Sequence, residues 1–268
     1  MMNKSEKLML PEMNDIWQQT LNWQPTAEQK QLFQNLYEGI IAGNQQLNLT
    51  RITEPREFWE KHLWDSLRGI GYQGLGGIGD NHPIPLQETE TKQENLSPKV
   101  IDIGTGAGFP GLPIAIACPH YAITLLDSTR KKITFLDTLI TQLSIQNVTT
   151  LIGRAEAINQ QPEFRKNYDI ALLRAVAPAS TCAEYALPFL KTGGLAVLYR
   201  GHWTDEETEN LTHVVEKLSG KVESIEEFTT PLSNSIRHCI YIRSCSSVRE
   251  INKKEGKKSR IISNSSIK

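Results

Sequence analysis

Val100-Ile-Asp-Ile-Gly-Thr-Gly-Ala-Gly-Phe-Pro-Gly111 is the stretch on which the reading of this chain turns. A β-rich run ends at Ile103, and Gly104, Gly106 and Gly108 then turn the chain into a helix. Glycine permits positive φ and lets the backbone approach a ligand closely. The helix start behind the loop offers unpaired N–H groups. No G-x-x-x-x-G-K-[ST] pattern occurs, so phosphate-loop chemistry is excluded. A dinucleotide reading is open on pattern alone, because residues 106–111 match G-x-G-x-x-G and Asp127 lies about 20 residues on, where a ribose acid belongs.

Three features weigh against the dinucleotide. Asp102 stands just inside the strand, where a carboxylate would meet a ligand ammonium directly or through water and would be wasted near a pyrophosphate. The glycines begin at Gly104, two residues early for the dinucleotide register. Arg154-Ala155-Glu156 follows the third strand, where an adenine-facing turn belongs in a methyltransferase. S-adenosylmethionine carries a sulfonium cation and no phosphate, so carboxylates around its pocket make electrostatic sense.

Outward from the loop, residues 122–126, 148–152, 170–173 and 195–199 read as further strands, separated by helical stretches at 110–118, 129–143, 162–166 and 179–190. A helix over 204–218 follows, then runs 221–228 and 238–243 with no helix between them. Alternating β and α elements give a parallel sheet with helices on both faces. The fold class is α/β: a seven-stranded, Rossmann-like class I methyltransferase sheet, mostly parallel, with an antiparallel hairpin at its C-terminal edge. A small helical module over residues 1–70 precedes it. Thr26 and Gln29 form a capping-box pair for a helix over 26–43, and a second helix runs from Thr53 to about Arg68. Residues 71–98, rich in Gly, Pro and polar side chains, read as a linker or insertion. Residues 99–245 form the cofactor-binding domain, and 246–268 a basic, disordered tail.

The 268 residues are 39% hydrophobic and 22% charged, which argues against wholesale disorder. No run approaches the ~18 apolar residues of a membrane span, and the first residues lack a signal-peptide core. The chain reads as cytoplasmic and, lacking coiled-coil heptads, as a monomer. The net charge of −1 divides into −5 over residues 1–98, −1 over 99–248 and +5 over 249–268. RNA or another polyanion would therefore have to meet a local basic patch or the tail. Four cysteines without a C-x-x-C pair suggest neither zinc nor disulfides, and the histidines show no metal spacing.

Several segments in this order carry a resemblance: DIGTGAGFPGLPIAIACP, TLLDSTRKKITFLDTL, GRAEAI and the ALLRAVA run. Asn48-Leu-Thr50, Lys61-His-Leu-Trp-Asp-Ser-Leu67 and Ile236-Arg-His-Cys-Ile-Tyr-Ile242 belong with them. Together they resemble the ribosomal RNA small subunit methyltransferase G family, from roughly Leu32 to Arg243. The resemblance implies N7-methylation of one guanosine in the decoding region of 16S ribosomal RNA, with S-adenosylmethionine as methyl donor and no metal. Naked RNA or a 30S-type particle would be the substrate. Residues 71–98 look longer than the family's usual connection, and Arg200 stands where Lys is more usual.

Gly104 and Phe109 match the family's cofactor-contacting loop, although Phe109 could equally be core. Asp127, Ser128 and Thr129 read as a ribose-facing strand end or a helix cap, and Ala155 and Glu156 as the adenine frame or a helix start. Arg174 closes the fourth strand beside the expected methyl-transfer point and is the residue expected to position substrate and cofactor. His62 and Asp65 share a helix face with Ser66; the triad this suggests is rejected because no G-x-S-x-G elbow accompanies it. That face is instead a candidate wall of the site, and His62, Asp65, Arg200 and Arg237 are candidates for positioning RNA. Arg130, Lys131 and Lys132 are further phosphate candidates, and His238 reads as structural or phosphate-facing. Guanine N7 needs no base, so alignment and electrostatics would carry the chemistry. A small-molecule methyltransferase, a non-catalytic RNA-associated S-adenosylmethionine binder and an NAD-dependent oxidoreductase are the competing readings.

Overall fold

The structure, a computed structural model, describes residues 9–71 and 97–246. Apart from their edge residues, the segment 71–98 and the tail from 246 lie outside the described residues. Seven strands form one sheet in the order β3-β2-β1-β4-β5-β7-β6: β1 (Lys99–Ile103), β2 (Ala122–Asp127), β3 (Val148–Ile152), β4 (Tyr168–Arg174), β5 (Leu190–Arg200), β6 (Gly220–Thr229) and β7 (Ile236–Ser244). The first five are parallel, and β7 lies antiparallel between β5 and β6. This is the class I methyltransferase sheet. Strand β1 pairs with β2 on one side and β4 on the other, so the winding reverses there. Crevices outside the carboxyl ends of strands at such a reversal are where open α/β sheets bind ligands.

The central strands read as continuous apolar runs because helices cover both their faces. One face packs against α8 (Ala179–Ala186) and α9 (Asp205–Lys217), where Ala183, Ala186, Leu211 and Val215 meet Ala171, Leu173 and Ala196. The opposite face meets α5 (Gly111–Ala117), α6 (Arg130–Gln142) and the N-terminal helices, with Trp17, Tyr37, Trp59 and Trp64 in one core with Val100, Leu125 and Tyr199. Tyr199 and Tyr241 donate their hydroxyls to the carbonyls of Ser66 and Gly69 at 2.8 and 3.1 Å, fixing the N-terminal helices to the sheet.

Local departures from the sequence expectation have packing causes. Helix α2 (Ala27–Leu47) has the expected Thr26–Gln29 capping box, but runs through Gly43 to a left-handed Asn48 cap. Within that helix Gly43 has no room for a side chain, because a Cβ there would fall on the Phe135 ring of α6. An additional helix, α1 (Asn14–Leu21), precedes it. The next helix is capped by Glu54, not Thr53, and has three parts: α3 (Pro55–Phe58), a π-helical turn (Trp59–Trp64) and α4 (Asp65–Arg68). The short helix after β3 is α7 (Ala155–Ile158); residues 162–166 form turns. Strand β5 begins five residues earlier than residue 195, after a 3-10 turn at Leu187–Phe189. All four cysteines are free. No helix among the described residues is long and apolar enough to cross a membrane.

Candidate cofactor and substrate site

The loop after β1 is held from beneath by two carboxylates. Asp127 closes β2; its Oδ2 accepts from the Gly106 N–H at 3.0 Å and its Oδ1 from the Thr129 N–H at 2.8 Å. It thereby ties the loop to the start of α6, and each oxygen keeps lone-pair capacity toward the cleft. Gly104 and Gly106 have φ of 71° and 60°, and both Gly104 and Thr105 donate N–H to the Leu126 carbonyl. Asp102 does not reach a ligand ammonium as the sequence suggested. It is fully buried under the loop, where its Oδ2 accepts from Thr105 Oγ1 at 2.6 Å and from the Gly111 N–H at 2.8 Å. Burial, partly offset by these bonds, pushes its pKa up to about 6. The acid thereby pairs one inward-pointing N–H, that of Gly111, and the Thr105 hydroxyl beneath the loop.

Two clefts meet at Gly104. One, of about 230 Å³, is lined by Gly104, Asp127, Ser128, Ala155 and Glu156, with Val176 and Tyr185 opposite. Ala155 is buried at the start of α7; Glu156 is exposed and ion-paired with Arg154 at 2.7 Å, a pairing that lowers its pKa. Thr129 occupies the N-cap position of α6, makes no side-chain cap bond and lines neither cleft. The second cleft, of about 810 Å³, is lined by Phe109, Arg174, His62, Asp65, Arg200 and Arg237, together with Lys61 and Lys132. Five cationic side chains (Lys61, Lys132, Arg174, Arg200, Arg237) face two carboxylates there (Asp65, Glu207). Arg130 and Lys131 are exposed on α6, outside its lining.

Arg174 is the hub of this cleft. Its Nη1 donates to the Lys61 carbonyl at 2.9 Å, to Asp65 Oδ2 at 3.2 Å and to Ser66 Oγ at 3.4 Å, and its Nη2 lies 3.3 Å from His62 Nδ1. The π-helical turn makes this cradle. In it the Asp65 N–H bonds to the Glu60 carbonyl, one residue further back than in an α-helix, so the Lys61 carbonyl is available to the guanidinium. Phe109 lies under Arg174 at 5.6 Å and stacks on the His62 ring at 4.3 Å. His62, Asp65 and Ser66 thus act as one face, around an arginine contributed by the sheet. Arg237 approaches Asp65 at 3.9 Å, while Arg200 is held by the Ala177 carbonyl and Glu207. His238 bonds to the Gly201 carbonyl and Glu227, outside this lining.

A family model described as rRNA small subunit methyltransferase G matches residues 29–74 and 85–240. The chain belongs to that family. Proteins named ribosomal RNA small subunit methyltransferase G are similar throughout this span. The one from Nostoc punctiforme is 60% identical over 235 residues, covering 88% of this chain and 90% of the relative. That from Trichodesmium erythraeum is 60% identical over 242 residues, covering 90% and 89%. That from Microcystis aeruginosa is 50% identical over 235 residues, covering 88% and 99%. As a member of the rRNA small subunit methyltransferase G family, the chain carries the matched region across both clefts and the N-terminal helices that wall the second.

Lys61, Tyr185, His202 and Thr50 escaped the residue reading. Lys61 and His202 line the large cleft, Tyr185 closes the small one, and Thr50 Oγ1 lies 2.8 Å from His62 Nε2. Thr50 and Lys61 stand in runs that carry the family resemblance, Asn48-Leu-Thr50 and Lys61–Leu67, but neither has a role of its own in that reading.

Proposed function

We propose that this chain transfers a methyl group from S-adenosylmethionine to N7 of a guanosine in the decoding region of 16S ribosomal RNA. It would act in the cytoplasm as a monomer, on the RNA or a 30S-type particle. The observation that carries this reading is the junction at Gly104 of a small carboxylate-edged cleft with a large cationic one, with Arg174 fixed in the large one. The small cleft fits an adenosine: Asp127 closes a strand end with acceptor capacity for ribose hydroxyls, and Ala155 and Glu156 line the same cleft. The unit over 99–245 would hold the cofactor, and the helices of 1–70 would supply the substrate wall.

S-adenosylmethionine, when bound, supplies an electrophilic methyl group. The chain's own contribution is alignment. Guanine N7 carries an unprotonated lone pair at neutral pH, so no side chain needs to remove a proton. His62 fits that picture: burial first, then Arg174 and Lys61, lower its pKa to about 3, so the imidazole is neutral in the working range. Arg174, with four acceptors on its guanidinium, presents its remaining donors at a fixed angle and orients base or phosphate. Arg237, Lys132 and Lys61 would hold the RNA backbone, which sets position without reading sequence. Near-ideal alignment of two reactants is worth about 7–11 kcal/mol. The cations lining the large cleft favour RNA over a small neutral acceptor.

The test is transfer of labelled methyl from S-adenosylmethionine to rRNA and to 30S-type particles from a strain lacking the enzyme, followed by nucleoside analysis. Label in 7-methylguanosine, lost in a folded Arg174→Ala variant, is the expected result. Cofactor binding with no transfer to either substrate would overturn the reading.

A further inference from the structure

We propose that Thr50 and His62 are positioning residues of the methyl-transfer site: Thr50 fixes the His62 imidazole as its Nε2–H tautomer, and the bare Nδ1 then orients the Arg174 guanidinium. The proposal rests on methyl transfer occurring at that site and assigns roles to residues outside the cofactor loop.

The tautomer follows from donor counting. Arginine has five N–H donors and no acceptor. Arg174 Nη2 lies 3.3 Å from His62 Nδ1, so Nδ1 must present its lone pair. The single imidazole proton is then on Nε2, which lies 2.8 Å from Thr50 Oγ1. Which ring nitrogen of a histidine is protonated is commonly set by the bond the other nitrogen makes. The ring has little freedom to rotate out of this arrangement. It stacks on Phe109 with ring centroids 4.3 Å apart and planes 10° apart, and meets the edge of Phe58 at 4.9 Å.

Thr50 is itself held in place. The Asn44 side chain accepts from the Thr50 N–H at 2.9 Å and donates to its carbonyl at 2.8 Å, bridging the end of α2 to the following segment. Thr50 Oγ1 also accepts from the Ile52 N–H at 3.0 Å. The Ile52 N–H takes one of its two lone pairs and leaves the other free, so the hydroxyl can accept the Nε2–H that the Arg174 donor at Nδ1 requires. A proton on Nδ1 would instead point at the guanidinium N–H, removing one acceptor from Arg174 and opposing two donors. Arg174 and Lys61 are the charged groups acting on this ring, and both disfavour its protonation.

Valine at position 50 keeps the shape and removes the acceptor; serine keeps the acceptor. Thr50→Val should lower kcat for methyl transfer roughly tenfold to a hundredfold, the range expected when a reacting group is displaced by a fraction of an ångström to 1 Å. The Kd for S-adenosylmethionine should stay close to wild type, the melting temperature should fall by several degrees because His62 Nε2–H and the Ile52 N–H lose their acceptor, and Thr50→Ser should restore both kcat and melting temperature. Nitrogen-15 NMR of His62 in the wild-type chain should show a protonated Nε2 and a bare Nδ1 throughout about pH 6–9. A protonated Nδ1 overturns the proposal without any variant, even if Thr50→Val does not fold. Wild-type kcat in a folded Thr50→Val chain overturns it as well. The NMR result does not depend on substrate, so a wild-type chain that transfers nothing to rRNA would sink the rRNA reading alone.

Discussion

Replacing Asp102 by Asn should flatten a step in the pH dependence of stability. Asp102 is fully buried beneath the glycine loop, with Oδ2 bonded to Thr105 and Gly111 and Oδ1 without a hydrogen-bond partner among the described residues. Burial is the dominant influence, and it raises the carboxyl from 3.8 to about 6 despite opposing pulls from those bonds and from Arg174. A folded-state value above the unfolded one means the native state binds this proton more tightly. The associated stability is fully present below about pH 3.8 and is lost as pH rises through about 6. Two pH units at 1.36 kcal/mol each give about 3 kcal/mol. Asparagine can keep both bonds through its amide oxygen and cannot ionise. Its NH₂ then occupies the partnerless position, a pH-independent cost of about 1–3 kcal/mol. Urea unfolding of both chains at intervals from about pH 4 to about pH 7 isolates the effect, because all other titrating groups cancel in the difference. Asp102→Asn should gain about 2–2.5 kcal/mol on wild type across that range, most of the full effect, because part of it is already lost at about pH 4. Parallel curves, or a gain by the wild type, would refute the assignment of a costly buried charge to Asp102.

Other substitutions probe the loop and the large cleft. In Gly104→Ala the new Cβ would lie 2.8 Å from Val176 Cγ2 at a backbone φ of 71°. The left-handed conformation alone costs about 1–2 kcal/mol, so the melting temperature should fall and S-adenosylmethionine titration should weaken. Arg174→Lys keeps the charge but replaces a planar fork with a point donor. It should lower single-turnover methyl transfer at least about tenfold, since one ammonium cannot serve four acceptors spread over the π-helical turn and the start of α4. Arg237→Ala should weaken RNA binding and reduce the slope of log K against log salt by about 0.7–1, with cofactor affinity unchanged, as measured by filter binding over a salt series.

The sheet was legible because its signals are local and strong. Runs such as Val100-Ile-Asp-Ile103 and Ile170-Ala-Leu-Leu173, buried on both faces, leave little room for another element, and turns separate them at regular intervals. The cofactor loop was legible for a similar reason, since closely spaced glycines after a strand have few structural alternatives. Asp102 misled because sequence gives a carboxylate's place along the strand but not which of two neighbours claims it; Thr105 and Gly111 reach it first. The Arg174 cradle was hidden more deeply. Its partners Lys61, His62, Asp65 and Ser66 lie more than 100 residues away, and no local pattern in the sequence announces the π-helical turn that frees the Lys61 carbonyl. Gly43 makes the same point in reverse: a residue that locally reads as a helix end lies inside α2, where its missing side chain makes room for the Phe135 ring.

The measurement that bears most directly on alignment without proton removal is the pH–rate profile of methyl transfer to 16S rRNA. It should be taken under single-turnover conditions, with saturating S-adenosylmethionine and 7-methylguanosine as the scored product. His62 is neutral, and guanine N7 needs no deprotonation, so the rate should be flat from about pH 6 to about pH 8.5. A rate rising about tenfold per pH unit through that range, or label appearing in a nucleoside methylated elsewhere, would contradict it.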